Sequence, residues 1–284
     1  MRNINVGELL VRQNIFPDKK TALSWVLAGK VFINNHKIDK IGQFVPVGSE
    51  ILVKGLTRKY VSKGGLKLEG ALADFEMDVT NKIALDAGAS TGGFTDCLLQ
   101  HGATMVYAVD VGSGQLAGKL RCDRRVVNME MVNISEVAPD DLKPKPELAT
   151  IDLSYLSLKK AIPIVTNLLT DKGEIICLIK PLFEIDNSKM STTGKIEDAN
   201  IFEEILCDLV HYVDGLGLKT IGITNSPITG NKGTREFFMK ISLDKSIAIQ
   251  DDMCNQIKKA IKNVMGLELY RKNHYEDKLF ETYD

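Results

Sequence analysis

Leu85-Asp86-Ala87-Gly88-Ala89-Ser90-Thr91-Gly92-Gly93-Phe94 carries an acidic strand end through small residues into the start of a helix. Ile83-Ala84-Leu85 reads as the buried strand and Phe94 to Leu99 as the helix. Glycines let backbone approach a ligand closely, and the free amides of a helix start face the polar group bound there. Asp86, Gly88, Ser90, Thr91, Gly92, Gly93 and Phe94 are therefore candidate ligand contacts. A second strand, Met105 to Val109, ends in Asp110, whose carboxylate can accept hydrogen bonds from both hydroxyls of a ribose. The spacing matches G-x-G-x-x-G only in part, because Ser90 stands at the second glycine and would crowd a pyrophosphate. An adenosine ligand without phosphates, S-adenosylmethionine, fits better than a dinucleotide; a structural glycine turn is the third reading.

Three further ionisable residues abut apolar runs: Asp152 after Thr150-Ile151, Lys180 after Leu178-Ile179, and Glu236 before Phe237-Phe238. A charge in such a place is expected to be paired or functional. Singly, each reads more readily as a structural ion pair or a solvated loop residue than as a catalytic group. Lys67 is blander still, one residue off an apolar stripe, and alone reads as a lysine laying its stem along the surface.

These residues must be held by a scaffold, and the chain supplies one. Leu68, Ala71, Leu72 and Phe75 follow the spacing of an amphipathic helix. Strands are expected at 83–85, 105–109, 126–128, 148–151, 174–179, 218–223 and 237–243, with helices between most of them. The alternation predicts a mostly parallel sheet covered on both faces, which binds ligands at the carboxyl ends of its strands. Ahead of it, a smaller α/β unit is expected: a helix from Gly7 to Asn14, a second from Pro17-Asp18 to a stop at Gly29, and strands at 31–33, 36–38 and 51–53. Residues 55–62 read as a short connector, and Ile257, Ala260, Ile261 and Val264 as the stripe of a last helix, to which the sequence assigns no role.

Charge is uneven. Residues 1–67 carry twelve Lys/Arg against four Asp/Glu, and the remainder 24 against 33, so a basic head precedes an acidic body. A polyanion is the expected partner of such a head, a solvated surface the bland alternative. Lys19, Lys20, Lys30, Lys37 and Lys40 recur on its polar sides as candidate phosphate contacts. Five scattered cysteines (97, 122, 177, 207 and 254) without a C-x-x-C pair support neither a disulfide framework nor a metal site, and are expected to be reduced core thiols. Neither a membrane span nor a signal-peptide core is legible, so a cytoplasmic protein is expected.

Ala28-Gly29-Lys30-Val31-Phe32-Ile33-Asn34 resembles the core of the S4 RNA-binding domain, over roughly residues 5–54. The resemblance departs at Asn5-Val6-Gly7, where that family usually shows Arg-Leu-Asp. The order Lys67, Asp152, Lys180, Glu236 resembles the K-D-K-E tetrad of the FtsJ-like 2'-O-ribose methyltransferases, and the S4-like head narrows the likeness to the TlyA family. Ser62-Lys63-Gly64-Gly65-Leu66-Lys67-Leu68 and Ser226-Pro227-Ile228-Thr229-Gly230-Asn231-Lys232-Gly233 carry it further, with Lys63 where the family usually has Arg. The resemblance implies a Rossmann-like methyltransferase fold at 63–250 behind an S4-like domain at 1–54, leaving a helix and tail at 251–284. It further implies S-adenosylmethionine as cofactor, no metal, and transfer to a ribose 2'-hydroxyl of ribosomal RNA, with cytidine as the nucleoside and a monomer as the working form. Lys180 would stand nearest the hydroxyl as base or proton acceptor, or, if its carboxylate neighbours keep it protonated, as the group that steers the hydroxyl lone pair while the proton leaves to water or a carboxylate; Asp152 and Glu236 would orient it, while Lys67 holds the carboxylates and the target. Arg58 and Lys63 join the RNA contacts, and Arg58-Lys59-Tyr60-Val61 resembles an interdomain motif implied to couple RNA docking to cofactor binding. TlyA-like proteins are often labelled haemolysins; a membrane-active role and an RNA-binding module with a vestigial body are the competing readings.

Overall fold

The computed structural model describes residues 3–12, 15, 16, 18–46, 49, 51–55, 59–154, 156–185, 196, 198–230, 233–247 and 252–267. The chain divides into two units that part between Arg58 and Lys59.

The first unit strings β1 (Asn3–Asn5), α1 (Val6–Arg12), α2 (Lys19–Leu27), β2 (Val31–Ile33), β3 (His36–Lys37), β4 (Phe44–Pro46) and β5 (Ile51–Val53) around a core that includes Leu9, Leu10, Val26, Val31, Ile33 and Ile38. Asn5 and Asp18 cap its helices: Gly7 N donates to Asn5 Oδ1 at 2.9 Å and Thr21 N to Asp18 Oδ1 at 2.7 Å. Asn5 thus has a local task in place of the family's usual residue. Asn34 and Asn35, at φ 48° and 65°, supply the left-handed pair that a two-residue hairpin between β2 and β3 needs. Helix α1 begins one residue earlier than expected and runs to Arg12; Gln13, Asn14 and Pro17 lie outside the described residues. The β1–β4 pair lies outside the expected strands, since each strand has three residues and buries a single side chain, Ile4 or Val45, too short a run to establish a period.

The second unit comprises α3 (Lys63–Asp74), β6 (Ile83–Ala87), α4 (Gly93–Gln100), β7 (Met105–Asp110), α5 (Gly118–Arg121), β8 (Val126–Glu130), β9 (Leu148–Ile151), α6 (Leu158–Leu168), β10 (Glu174–Ile179), α7 (Pro181–Glu184), α8 (Ala199–Gly215), β11 (Lys219–Asn225), β12 (Phe237–Ser242) and α9 (Met253–Met265). Its seven strands lie in the order β11-β12-β10-β9-β6-β7-β8. Alternate residues face opposite layers: Leu85, Ile175 and Cys177 meet α6, α8 and α9, whereas Ala84, Ile176 and Leu178 meet α3 and α4. Two short 3-10 turns, Ile134–Glu136 and Pro139–Asp141, replace a helix between β8 and β9.

Strand β12 runs antiparallel to both neighbours, the exception in the mostly parallel sheet. Only residues 226–236 join β11 to β12, too few for a crossover helix, so the strand must return beside its predecessor. The expected connector 55–62 also ends early. Lys59–Ser62 belong to the body, with Tyr60 at 2% exposure in its core, Val61 N donating to Asp96 Oδ2 at 2.8 Å, and Gln100 Nε2 to Lys59 O at 2.8 Å. Cys122 and Cys254 are exposed, so the expectation of five core thiols holds in full only for buried Cys97 and Cys177. Among the described residues no helix is long and apolar enough to cross a membrane.

Candidate active site

The sheet reverses its winding between β6 and β9, the place where open α/β sheets hold ligands. Asp152 leaves β9 there, its N–H bonded to Ala87 O at 3.0 Å. Lys180 leaves the neighbouring β10. Because β12 is antiparallel, Phe237 lies opposite Ile179, and Glu236, just before the strand starts, arrives at the end where Lys180 leaves. Lys67 reaches the same place from the second turn of α3. All four line one cavity of about 580 Å³ with Lys63, Gly88, Ser90, Thr91, Gly93, Phe94 and Arg235.

The four form two pairs of different character. Lys67 and Glu236 are ion-paired with side chains only 7% and 5% exposed. Lys67 is therefore a buried partner and not a surface lysine. Lys180 Nζ lies 2.5 Å from Asp152 Oδ1 and donates to Leu153 O and Ser154 Oγ at 3.2 Å each, which occupies the three donors of an ammonium. Asp152 Oδ1 is buried, and the Lys180 ammonium is its partner. The end of β10 is fixed by Glu184, whose carboxylate accepts from Ser157 Oγ at 2.7 Å and Leu158 N at 2.8 Å; burial raises its pKa. Lys63 lies half-buried in the cavity, and burial, reinforced by Lys67, brings its pKa down to about 8 against the pull of Glu236 and Asp152. It thus belongs with the tetrad and not with the head.

The loop after β6 is built for close approach. Gly88, at φ +93°, would place a Cβ 2.6 Å from Asp152 O, so the loop and the strand carrying Asp152 touch directly. Gly92, at φ +92°, starts α4, and a Cβ on Gly93 would meet Ser62 Oγ at 2.2 Å and Gly65 N at 3.0 Å. Asp110 holds the loop by accepting Ser90 N at 2.9 Å and Gly112 N at 2.7 Å, one through each oxygen. A lone pair remains on each for two further hydroxyls.

Asp86 corrects the sequence reading. It is 0% exposed beneath the loop, accepts from Thr95 Oγ1 at 2.7 Å and Thr150 Oγ1 at 3.0 Å, and does not line the cavity. Burial raises its pKa to about 6. Its observed bonds support the loop from below. Lys19, Lys20, Lys30, Lys37 and Lys40 are exposed on the first unit, with Lys30 Nζ 5.2 Å from the Trp25 ring and Lys37 Nζ 3.5 Å from Asp39. Arg58 lies outside the described residues.

Sequence reasoning missed Ser154, Arg235 and an apolar pair. Val111 and Met131 follow the ends of β7 and β8, 70% and 73% exposed, flanking the end that carries Asp110. Met131 sits at φ +61°, strained for a side chain of its size. Two large apolar groups at adjacent strand ends suit the faces of a flat heterocycle, and lone side chains after a strand gave no pattern to find them by.

A seven-stranded sheet wound about this crevice, with a glycine loop at the switch point and an acid at the next strand end, has the architecture of a Rossmann-like S-adenosylmethionine-dependent methyltransferase. The residues present fit that cofactor: the glycine loop borders a cavity of about 580 Å³, and Asp110, with open lone pairs, and exposed Val111 and Met131 stand at the strand ends outside its lining. Residues 60–242 match the model of FtsJ-like methyltransferases. YqxC of Bacillus subtilis, described as a candidate rRNA methyltransferase, is 41% identical over 82% of this chain and 83% of its own. The 16S/23S rRNA (cytidine-2'-O)-methyltransferase TlyA of Mycobacterium tuberculosis is 34% identical over 84% of this chain and 89% of its own. A solved structure described as a candidate hemolysin from Streptococcus thermophilus superposes with a TM-score of 0.73 at 38% identity, covering 93% of this chain and 96% of that one. The chain belongs to the FtsJ-like methyltransferase family, in its TlyA group.

Proposed function

We propose that this protein methylates a ribose 2'-hydroxyl of ribosomal RNA, at cytidine. The observation that carries the reading is the convergence of Lys67, Asp152, Lys180 and Glu236 on the cavity that the glycine loop borders. S-adenosylmethionine, when bound, supplies an electrophilic methyl on a sulfonium. The 88–93 backbone would hold it, with Asp110 available to ribose hydroxyls and Val111 and Met131 to its base. Lys180 is the group nearest the target hydroxyl. Its ammonium is turned toward Asp152, Leu153 O and Ser154 by three contacts, and exchanging one of them for the hydroxyl aims an oxygen lone pair at the methyl. Asp152 Oδ1, buried beside Lys180 Nζ, is the acceptor for the proton released once the ammonium has exchanged that contact for the hydroxyl. Glu236 neutralises Lys67 and fixes α3 beneath the site. Three lysines against two carboxylates leave the cavity net positive, suited to the phosphates beside the target nucleotide, for which Lys63 is the nearest ligand. On the first unit, Lys19, Lys20, Lys30, Lys37 and Lys40 supply an S4-like RNA-docking surface. Mapping 2'-O-methylated positions in rRNA from cells with and without the gene tests the assignment. A single cytidine that loses its methyl supports it, and unchanged maps in both subunits would overturn it.

A further inference from the structure

Helix α9 lies outside the family match, yet its apolar stripe of Ile257, Ala260, Ile261 and Val264 seals one layer of the core. Its other side is chemically unlike the rest of the body. Residues 68–250 carry 18 Lys/Arg against 26 Asp/Glu, whereas α9 holds Lys258, Lys259 and Lys262 and not one carboxylate. All three lysines are exposed and none is ion-paired to a described residue. At 3.6 residues per turn they share an arc of about 100°. Lys259 shares a shallow groove with Asp74 and Glu76, which Lys258 and Lys262 do not line.

The place of this face matters as much as its charge. Arg235, next to Glu236, donates through Nε to Val264 O at 3.2 Å and through Nη2 to Met265 O at 3.4 Å, so the carboxyl end of α9 is tied to the strand start that carries Glu236. Leu267, just past that end, lines the active cavity. At 1.5 Å per residue, Lys262 and Lys258 stand about 7 and 14 Å back along the helix axis from Leu267. That is the span of the one or two phosphates next to a nucleotide held in the cavity.

We infer that the Lys258/Lys259/Lys262 face of α9 is an RNA-backbone contact surface, which receives the strand flanking the target nucleotide as it leaves the active cavity. This rests on RNA being the substrate. The occupant is a polyanion because the helix offers three exposed cations and no acid of its own, with a single exposed large apolar side chain, Met265 at 36%, beside them.

The test uses the full chain with Lys258→Glu/Lys259→Glu/Lys262→Glu, and the milder triple change to Gln, probed with an rRNA transcript and with intact ribosomal subunits across a KCl series. The variants should melt like wild type, bind S-adenosylmethionine unchanged, and keep the wild-type rate at saturating RNA. Transcript affinity should fall at least tenfold near physiological salt for the Glu variant, and the slope of log K against log[KCl] should become shallower by about 2, near one unit per lost phosphate contact. Unchanged affinity and slope would overturn the inference. So would a loss seen on subunits but not on the transcript, which would make the partner a ribosomal protein. If wild type binds the transcript and the variants bind it less, yet neither transfers a methyl to rRNA, the proposed activity fails while the surface stands.

Discussion

Glu236→Gln should unfold this protein far more easily than Asp152→Asn, although both remove one carboxylate charge from the same cavity. Lys67 and Glu236 are 7% and 5% exposed, so the Gln variant leaves an ammonium in a nearly dry site with its counter-charge gone. Removing one partner of a buried pair costs about 3–5 kcal/mol, and the low end applies because the cavity beside it admits water. For a body of this size about 3 kcal/mol corresponds to a melting shift of roughly 6–12 °C. Lys180 and Asp152 are 18% and 25% exposed, and Lys180 keeps two neutral acceptors, so Asp152→Asn should cost about 1 kcal/mol or less. Calorimetry or far-UV circular dichroism is the assay, because the single tryptophan, Trp25, lies in the other unit and is blind to the body. Lys67→Met/Glu236→Gln should recover most of the lost stability and none of the activity. Equal melting shifts for the two single variants, or a Glu236→Gln protein that melts like wild type, would refute the distinction between a structural and a working pair.

Lys180→Ala should leave melting temperature and cofactor affinity near wild type while lowering the single-turnover methylation rate about 100-fold or more; a wild-type rate would remove Lys180 from the chemistry. Asp110→Ala strips acceptors from Ser90 N and Gly112 N as well as from the ligand, and should weaken S-adenosylmethionine by about 1.5–3 kcal/mol in calorimetric titration. Gly88→Val should abolish that binding, since its Cβ falls 2.6 Å from Asp152 O. Asp86 has its pKa raised to about 6 by burial, so its contribution to stability is full below its unfolded value near 4 and is lost as pH rises through 6. Wild type should therefore lose about 3 kcal/mol relative to Asp86→Asn between pH 4 and 7.5, read from urea midpoints. A pH-independent difference would mean the carboxyl is not buried as described.

The central strands β6, β7, β9 and β10 were legible because each is a largely apolar run with a small or charged residue at or just past its end, where the ligand loop and Asp152 lie. Lys67 was legible only by resemblance. Its partner is 169 residues away, and helical periodicity carries no information about what lies under a polar position. Asp86 misled in the opposite direction: an acid at a strand end looks like a ligand contact, and only Thr95 and Thr150, one on a helix and one on a neighbouring strand, reveal that its oxygens are taken. The direction of β12 followed from the length of the connection before it, a constraint available in the sequence but weaker to the eye than the strand pattern itself.

The seal formed by α9 bears on how this protein can be shortened. A chain cut at residue 242, where the family likeness stops, would keep every tetrad residue and the whole glycine loop. It would also bare the core positions that Ile257, Ala260, Ile261 and Val264 cover, and leave β11, the outermost strand, without its neighbouring helix. Uncovered outer strands recruit one another edge to edge. A minimal catalytic fragment of this enzyme therefore has to extend through Leu267, and one trimmed to the family boundary should be recovered as insoluble aggregate whatever the integrity of its active residues.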